Sequence, residues 1–256
     1  MSDDARLDAL AGTERLLVAL DFDGTLAPLT DEPMSSRMLP EARAALDALA
    51  ALPDTTVAFV SGRTLHDLRI VTEDSPASVF LLAGSHGAEF GDDAPVTGED
   101  ADAVRLRDEL LEAAETAVAD IDGAWIETKA FGLGLHTRLA TRDDAAAAIE
   151  RISALVSDRA PEWRRRSGHD ILEFAFRHEG KDSAVATLRE RVGATAVLFA
   201  GDDVTDEDAL ASLRPDDVGV RVGDGDTSAT VRVPDAAGLA DLLLDLAERR
   251  SAARAS

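Results

Sequence analysis

Short runs of apolar residues, separated by segments with helical periodicity, open this chain. Leu16 to Leu20 is wholly apolar and ends in Asp-Phe-Asp-Gly, and Thr56 to Val60 ends in Ser-Gly-Arg. Such runs, bounded by turn residues, are typical of strands that are buried on both faces. Between them, Pro40 to Leu52 places its apolar residues on one side of a helix and its proline in the first turn. A short helix from Thr64 and a third strand at Val79 to Leu82 are predicted to follow.

The pattern changes at the stretch Gly91 to Asp100, which is rich in Gly, Asp and Pro and is typical of a domain boundary. From Lys181 the earlier pattern returns, with apolar strands again alternating with helices. Between these two points the sequence predicts two helices, at about 101–119 and 142–156, and four strands, at about 124–128, 133–139, 163–166 and 170–176.

Together these segments predict an α/β fold with two domains. Strands that alternate with helices, and that end in polar Gly-rich loops, indicate a doubly wound parallel sheet of the Rossmann-like type. This core is predicted to be discontinuous, made of residues 1–90 and 179–256. Residues 91–178 are predicted to form a smaller inserted α+β domain.

The charge of the chain excludes some classes of partner. It contains 26 Lys+Arg against 50 Asp+Glu, for a formal net charge of −24. So negative a protein is repelled by nucleic acid and by anionic membrane surfaces, so neither is expected as a partner. Only Lys129 and Lys181 are lysines. An acidic, lysine-poor composition fits a high-salt, halophilic cytoplasm, and each remaining lysine becomes a candidate for a specific role.

Further features bear on the location of the protein. The chain has no cysteine, so no disulfide framework is expected. Its N-terminus, MSDDARLDAL, lacks a basic region followed by a long apolar run, so no signal peptide is expected. No stretch approaches the roughly 18 apolar residues that a membrane helix requires. The sequence therefore favours a soluble cytoplasmic protein, and a monomer is favoured although nothing in the sequence determines the oligomeric state.

Polar residues follow several of the predicted core strands. Ligands of open parallel sheets lie beyond the carboxyl ends of the strands, so residues at those ends are expected to meet. The strand ends, together with the start of the helix that follows the insert, carry Asp21-x-Asp23, Ser61-Gly62-Arg63, Asp202-Asp203 and Lys181. The sequence therefore predicts one polar cluster at this edge.

The residue types in this cluster suit phosphoryl transfer. That reaction needs a nucleophile in line with the leaving oxygen and positive charge near the phosphoryl oxygens. Asp21 is the predicted nucleophile, because a carboxylate can form an acyl-phosphate that water later cleaves. Asp23 is suited to protonate the leaving oxygen and then to activate water. Ser61 can donate its hydroxyl to a phosphoryl oxygen, and Lys181 can neutralise the negative groups as a compact charge.

So many acidic groups would repel a phosphate unless a cation lay between them. Mg²⁺ prefers oxygen ligands and takes one or two carboxylates together with water and phosphate. Asp21 and Asp202 are the predicted carboxylate ligands, with Asp203 and Asp206 as support. The sequence therefore predicts Mg²⁺ as the cofactor.

These motifs resemble those of a known superfamily. DFDGTLAP (21–28), SGR (61–63), Lys181 and GDDVTDED (201–208) resemble the four motifs of the haloacid dehalogenase superfamily. With GSHGAE (84–89) and IETKAFGLGLHTR (126–138), the chain is similar more narrowly to the trehalose-6-phosphate phosphatases. The resemblance extends through nearly the whole chain, core and insert alike.

The resemblance implies a role for each matching position. Asp21 would be the nucleophile and a metal ligand, Asp23 the acid/base that also gives its backbone carbonyl to the metal, and Asp202 the remaining metal ligand. The residues implied to hold phosphate, the aspartate or the substrate are Thr25, Ser61, Gly62, Arg63, His86 and Lys181. The insert would be a mobile cap over the sugar, whose disaccharide is bound by Glu127, Lys129 and Glu173, with His136 and Arg138 as a further His-x-Arg element.

The expected function is hydrolysis of a small sugar phosphate, trehalose 6-phosphate, to trehalose and phosphate in trehalose biosynthesis. One alternative is a phosphatase of sucrose, mannosylglycerate or glucosylglycerol phosphate with the same architecture. A phosphomutase also begins with an aspartyl-phosphate and is a second alternative. A non-enzymatic sugar-phosphate sensor is a third, and the presence of all the predicted reactive groups argues against it.

Overall fold

A computed structural model describes residues 2–73, 75, 78–91, 101–168 and 170–255. The chain divides into two compact units: a core unit, made of Met1–Gly91 with Glu179–Ser256, and an inserted unit, made of Asp92–His178. The stretch that was predicted as a domain boundary lies outside the described residues except for Gly91.

The described residues contain both strands and helices in each unit. The strands are β1 (Leu16–Leu20), β2 (Thr55–Val60), β3 (Leu81–Gly84), β4 (Glu89–Phe90), β5 (Trp125–Lys129), β6 (Gly132–His136), β7 (Arg164–Gly168), β8 (Ile171–Ala175), β9 (Ala196–Gly201), β10 (Val218–Val222) and β11 (Val231–Val233). The α-helices are α1 (Asp3–Ala11), α2 (Pro40–Ala50), α3 (Leu65–Val71), α4 (Ala101–Val118), α5 (Arg142–Arg159), α6 (Lys181–Val192), α7 (Glu207–Ser212) and α8 (Ala236–Ala255).

The core unit is built on a seven-stranded sheet in the order β11-β10-β9-β1-β2-β3-β4. Its neighbouring strands are parallel except for the short β4, which is antiparallel to β3. Every residue of β1 is buried, which explains its unbroken apolar sequence. Alternate side chains enter two separate cores: Val18 packs with Leu46 of α2 and Leu243 of α8, whereas Leu17 packs with Leu188 of α6. The predicted doubly wound α/β class is confirmed.

Some predicted elements differ from those observed. The third strand covers Leu81–Gly84 rather than 79–82, because Val79 is 66% exposed whereas Leu82 and Ala83 are buried beside β2. The helix α1 and the strands β4 and β11 were not predicted. Strands of two or three residues are too short to show a periodic pattern.

The inserted unit is an antiparallel sheet covered on one face by helices. Its strand order is β5-β6-β8-β7. Leu133 and Leu135 of β6 pack with Leu172 of β8 against Leu110 of α4 and Ile152 of α5. Because side chains alternate between the faces of a strand, the residues between these leucines lie on the other face of the sheet. This second face, opposite α4 and α5, therefore carries the side chains that alternate with these leucines.

Among the described residues, no helix has the length and apolar character that are needed to span a bilayer.

Candidate active site

Asp21 lies directly after β1, at the carboxyl end of the core sheet. Its backbone N–H donates to the Ala200 carbonyl (2.9 Å), which extends the ladder to β9 by one bond. The side chain is buried, and Oδ1 accepts a hydrogen bond from Lys181 Nζ at 2.6 Å. On the other side the Thr25 hydroxyl lies 3.1 Å from Oδ2. The carboxylate that was predicted as the nucleophile is thus held at both oxygens.

Lys181 is the first residue of α6 and is almost wholly buried. Its Nζ lies 2.6 Å from Asp21 Oδ1 and 2.6 Å from Asp206 Oδ1. Burial alone would lower the pKa of Lys181, but the charges of Asp206 and Asp21 outweigh that effect and raise the pKa above its usual value. The lysine therefore stays charged and links two carboxylates.

Asp206 holds the loop that follows β9. Its side chain has no exposed surface, and Oδ2 accepts from the backbone N–H groups of Asp202 (3.1 Å) and Asp203 (3.0 Å). Gly201 lies against this side chain. Only glycine fits at this position, because a Cβ would lie 2.2 Å from Asp206 Cγ. Both oxygens of Asp206 are therefore occupied by Lys181 and by the loop itself.

Asp202 completes an acidic cluster with Asp21 and Asp206. The Thr25 hydroxyl lies 2.8 Å from Asp202 Oδ1, so one hydroxyl lies between Asp202 and Asp21. Gly24, with φ of 81°, passes so close that a Cβ would lie 2.1 Å from Asp202 Oδ2. One carboxylate oxygen from each of the three aspartates lies within 4.8 Å of the other two.

This donor set fits a hard divalent cation. Burial, followed by the charge of Asp206, raises the pKa of Asp202 to about 6. Burial also raises the pKa of Asp21 well above its usual value, although Lys181 opposes that shift. When all three carboxyls are ionised, they carry more negative charge than one lysine balances, and carboxylate oxygens are the ligands that Mg²⁺ and Ca²⁺ take.

Asp23 points to a different set of partners. Its Oδ2 accepts from Arg63 Nε at 2.5 Å and its Oδ1 from Arg63 Nη2 at 2.7 Å, so the contact is bidentate. The Ser36 hydroxyl, which is buried, donates to Asp23 Oδ1 at 2.9 Å. Arg63 Nη2 also donates to the Pro33 carbonyl at 2.7 Å. Arg63, which was predicted on the substrate side, here holds the predicted acid/base.

The loop after β2 carries Ser61 and Gly62 and packs against His86. Ser61 is buried, and its Oγ accepts from the Arg63 N–H at 3.1 Å. The His86 N–H donates to the Ser61 carbonyl at 2.9 Å. A Cβ on Gly62 would lie 2.7 Å from Cε1 of the His86 ring. His86 thus packs against the predicted phosphate loop.

Glu89 connects the segment that carries His86 to the start of α3 by hydrogen bonds. Its Oε2 accepts from the Ser85 hydroxyl at 2.5 Å and from the Leu65 N–H, at the start of α3, at 3.1 Å. Ser85 (φ 49°) and His86 (φ 56°) are two consecutive non-glycine residues in the left-handed region, a conformation that costs free energy unless its surroundings hold it. The GSHGAE segment therefore packs against the loop after β2 and stabilises its conformation.

In the inserted unit, three further predicted residues meet on the face of the sheet opposite α4 and α5. Glu127 and Glu173 flank Gly134 in adjacent strands. Lys129 Nζ lies between them, 2.9 Å from Glu127 Oε2 and 3.2 Å from Glu173 Oε1. A Cβ on Gly134 would lie 3.3 Å from Lys129 Cε, so the glycine gives the lysine room to lie across the sheet.

His136 extends this group toward Trp125. Its Nε2 lies 2.6 Å from Glu127 Oε2, and its ring stacks on Trp125 with centroids 4.7 Å apart. Burial would raise the pKa of Glu127, but His136 and Lys129 outweigh it and lower the pKa. Arg138, the other member of the predicted His-x-Arg element, is exposed.

Comparisons with known proteins bear on both units. A family profile described as Trehalose-phosphatase matches residues 19–239. The chain belongs to the trehalose-phosphatase family. A trehalose-6-phosphate phosphatase of Escherichia coli is 30% identical over 226 residues, which cover 84% of this chain and 81% of that protein.

Other relatives are longer than this chain. A trehalose-phosphate phosphatase of Mycolicibacterium paratuberculosis is 34% identical over 226 residues, or 81% of this chain and 53% of that protein. An uncharacterized glycosyl hydrolase of Mycobacterium tuberculosis is 33% identical over a region that covers 90% of this chain and 18% of that protein. The chain therefore spans about half the length, or less, of these mycobacterial relatives.

A solved structure shows the same fold. The C-terminal domain of a Candida albicans trehalose-6-phosphate phosphatase superimposes with a TM-score of 0.81 at 20% sequence identity and covers 97% of both chains. This likeness confirms the predicted α/β fold class.

Three residues of the site were not predicted in the roles they take. Asp206 was expected to support the metal, and it is the fixed partner of Lys181. Glu89 lies within the GSHGAE motif, which was the only signal for it. No sequence signal marks Ser36, because a lone serine in a loop is uninformative until its contact with Asp23 is seen.

Proposed function

We propose that this protein is a Mg²⁺-dependent phosphatase that hydrolyses trehalose 6-phosphate to trehalose and phosphate through an aspartyl-phosphate on Asp21. The observation that carries the proposal is the buried Asp21 carboxylate, held by Lys181 beside Asp202 in a member of the trehalose-phosphatase family. An aspartate nucleophile next to a permanent positive charge is what acyl-phosphate formation requires.

In the first step, a carboxylate oxygen of Asp21 bonds to phosphorus while the bond from phosphorus to the sugar oxygen breaks. Asp23 gives a proton to that leaving oxygen, so trehalose departs as a neutral alcohol. In the second step, water attacks the phosphorus of the aspartyl-phosphate and loses a proton to Asp23, while the bond from phosphorus to the Asp21 oxygen breaks. Phosphate is released, and Asp21 and Asp23 return to their starting forms.

The residues that surround Asp21 balance charge during these steps. Lys181 lies 2.6 Å from Asp21 and offsets the charge of the aspartyl-phosphate. Asp21 and Asp202, with the backbone carbonyl of Asp23, would hold Mg²⁺. When bound, the ion supplies a Lewis acid that neutralises charge on the phosphoryl oxygens. Thr25 and Ser61 would donate hydrogen bonds to the phosphoryl group or to the aspartate.

The inserted unit, residues 91–178, is proposed to act as the cap that recognises the sugar. Glu127, Lys129 and Glu173 lie together on the sheet face opposite α4 and α5 and offer the acceptors and donors that sugar hydroxyls need. The core unit, residues 1–90 and 179–256, would carry the chemistry. Selection of the disaccharide therefore depends on residues different from those that break the phosphate ester.

A panel of sugar phosphates tests the proposal. Purified protein with Mg²⁺ is expected to release phosphate from trehalose 6-phosphate faster than from sucrose, mannosylglycerate or glucosylglycerol phosphate. Asp21→Asn is expected to abolish turnover and to retain substrate binding in calorimetry. Equal rates on all sugar phosphates, or activity that depends on a sugar bisphosphate, would refute the assignment in favour of a generic phosphatase or a phosphomutase.

A further inference from the structure

Arg221 is a buried arginine of β10 whose guanidinium reaches the loop that carries Asp202. It is 8% exposed, although arginine is rarely buried without specific partners. In the sheet it lies beside Gly201, the last residue of β9, at the point where the acidic loop begins. The proposed phosphatase chemistry assigns it no role.

The turn after β10 holds one side of this guanidinium. The Asp224 carbonyl accepts from Arg221 Nε at 3.3 Å and from Nη2 at 3.1 Å. Gly223 (φ 77°) and Gly225 (φ 108°) flank Asp224, and this left-handed conformation is one that glycine adopts without strain. The orientation of the side chain is therefore set by the backbone of its own turn.

The remaining nitrogen reaches the acidic loop. Arg221 Nη1 donates to the Asp203 carbonyl at 3.0 Å and to Glu207 Oε1 at 3.3 Å. Asp203 is the residue after Asp202, and Glu207 is the first residue of α7. Glu207 is itself held, since its Oε2 accepts from the Ser228 N–H at 2.8 Å. The loop is thus fixed to β10 at two points.

The same loop is held from its other side by Asp206. Asp206 accepts from the N–H groups of Asp202 and Asp203, whereas Arg221 binds the carbonyl of Asp203. The donor and the acceptor of the Asp203 residue are therefore both used. The backbone that orients the Asp202 side chain is held between a buried carboxylate and a buried guanidinium.

We propose that Arg221 is a positioning residue for the cation site: it holds the acidic loop so that the Asp202 carboxylate faces Asp21. The inference rests on the proposed metal dependence of the phosphatase. Arg221 acts through the Asp203 peptide and Glu207, without touching substrate or cation. A planar guanidinium serves all these acceptors at once, whereas a lysine ammonium is a single point on a flexible stem.

Binding of Mg²⁺, measured by calorimetry without substrate, tests the proposal. Arg221→Met keeps the apolar part of the side chain and removes all of its N–H donors. The dissociation constant of this variant for Mg²⁺ is expected to rise about tenfold or more. Arg221→Lys is expected to lie between Met and wild type. In turnover assays excess Mg²⁺ is expected to restore most of kcat for both variants, and KM for the sugar phosphate is expected to stay unchanged.

Arg232→Met is the matched control. Arg232 is the partner of Arg221 on β11 and also donates to turn carbonyls, those of Gly223 and Gly225. It is exposed, and these bonds tie it to the turn after β10 rather than to the acidic loop. Its substitution is expected to leave the Mg²⁺ dissociation constant within about twofold of wild type.

The outcomes separate this inference from the proposed function. A folded Arg221→Met protein, checked by circular dichroism, that binds Mg²⁺ as wild type does would overturn the positioning role alone. If that variant does not fold, Arg221→Lys decides, and a wild-type dissociation constant for it would overturn the role in the same way. Wild-type protein that binds no Mg²⁺ would overturn both the role and the metal dependence.

Discussion

Arg63 binds both carboxylate oxygens of Asp23, through Nε to Oδ2 at 2.5 Å and through Nη2 to Oδ1 at 2.7 Å. Such bidentate pairs are among the strongest hydrogen-bonded contacts between side chains and fix direction as well as distance. Asp23, the proposed proton donor to the leaving oxygen, is therefore held by a residue from the loop after β2. This contact joins the loops after β1 and β2 at the centre of the proposed chemistry.

Replacement of Arg63 by Lys is expected to lower kcat for trehalose 6-phosphate about 10- to 100-fold, because a single ammonium cannot hold both oxygens of Asp23. Asp23→Asn is expected to lose more, about 10²- to 10⁴-fold, since it removes the proton carrier itself. Steady-state phosphate release across pH measures both. Arg43→Lys, which alters an exposed pair with Asp47, serves as control; an Arg63→Lys rate equal to that of this control would contradict the assigned contact.

Lys181→Met is expected to abolish turnover and to destabilise the core unit by about 3–5 kcal/mol, because it leaves two buried carboxylates without their shared cation. Urea unfolding in EDTA measures the stability change, and Mg²⁺ is expected to recover part of it. Lys129→Met, the only other lysine in the chain, is the matched control. It lies in the inserted unit and is expected to leave the Mg²⁺-dependent stabilisation intact. A Lys181→Met protein as stable as wild type would show that the pairing is wrong.

The stabilising effect of Mg²⁺ is expected to depend on pH through Asp202. Burial, with the charge of Asp206, raises the pKa of Asp202 to about 6, so below that pH a proton competes with the ion for the carboxylate. The raised pKa also means that the folded, metal-free protein binds this proton more tightly than the unfolded chain does. That contribution to stability is present at low pH and is lost as the pH rises through about 6.

Thermal unfolding with and without Mg²⁺ measures this effect. The increase in Tm on adding Mg²⁺ is expected to be large at about pH 7.5 and small at about pH 5. In Asp202→Asn, the shift is expected to be small at both values. An unchanged wild-type shift across this range would exclude Asp202 as the titrating ligand.

Gly62→Ala is expected to destabilise the core unit by about 1–3 kcal/mol, because the added methyl group would overlap the His86 ring. The double variant with His86→Ala is expected to recover most of that loss, a coupling that a double-mutant cycle isolates. Gly12→Ala is the control, since its Cβ would meet only ordinary contacts at 3.6 and 3.7 Å. Additive effects of the two substitutions in chemical unfolding would show that the ring does not pack on Gly62.

Glu173→Gln is expected to lower kcat/KM for trehalose 6-phosphate about 10- to 100-fold, since a hydrogen bond from a sugar hydroxyl to a charged acceptor contributes about 1.5–3 kcal/mol. The rate on a small aromatic phosphate ester, which lacks those hydroxyls, is expected to be unchanged. Glu162→Gln, at an exposed position of the same unit, provides the control. Equal losses on both substrates would place the defect in the chemistry rather than in sugar recognition.

Much of the architecture was predictable from local pattern. The apolar runs ending at Asp21 and Ser61 identified buried parallel strands, since a strand that is covered on both faces must be apolar throughout. Parallel strands bring their carboxyl ends to one edge, which is why Asp21 and Asp202 were expected to meet although they lie far apart in the sequence. Short edge strands such as β11 were not predicted, because three residues are too few to show a periodic pattern.

The sequence by itself thus determined the fold class, the acidic strand ends, the lysine at the start of α6 and the likeness to a phosphatase family. Only the tertiary structure decided which partner each charged side chain takes: Arg63 on Asp23, Asp206 on Lys181, and Arg221 on the Asp203 carbonyl. The physical reason is that burial and backbone geometry leave a local signature in residue type and spacing. The choice among many possible counter-charges depends on how separate loops converge in space, and an acidic chain offers many equivalent candidates.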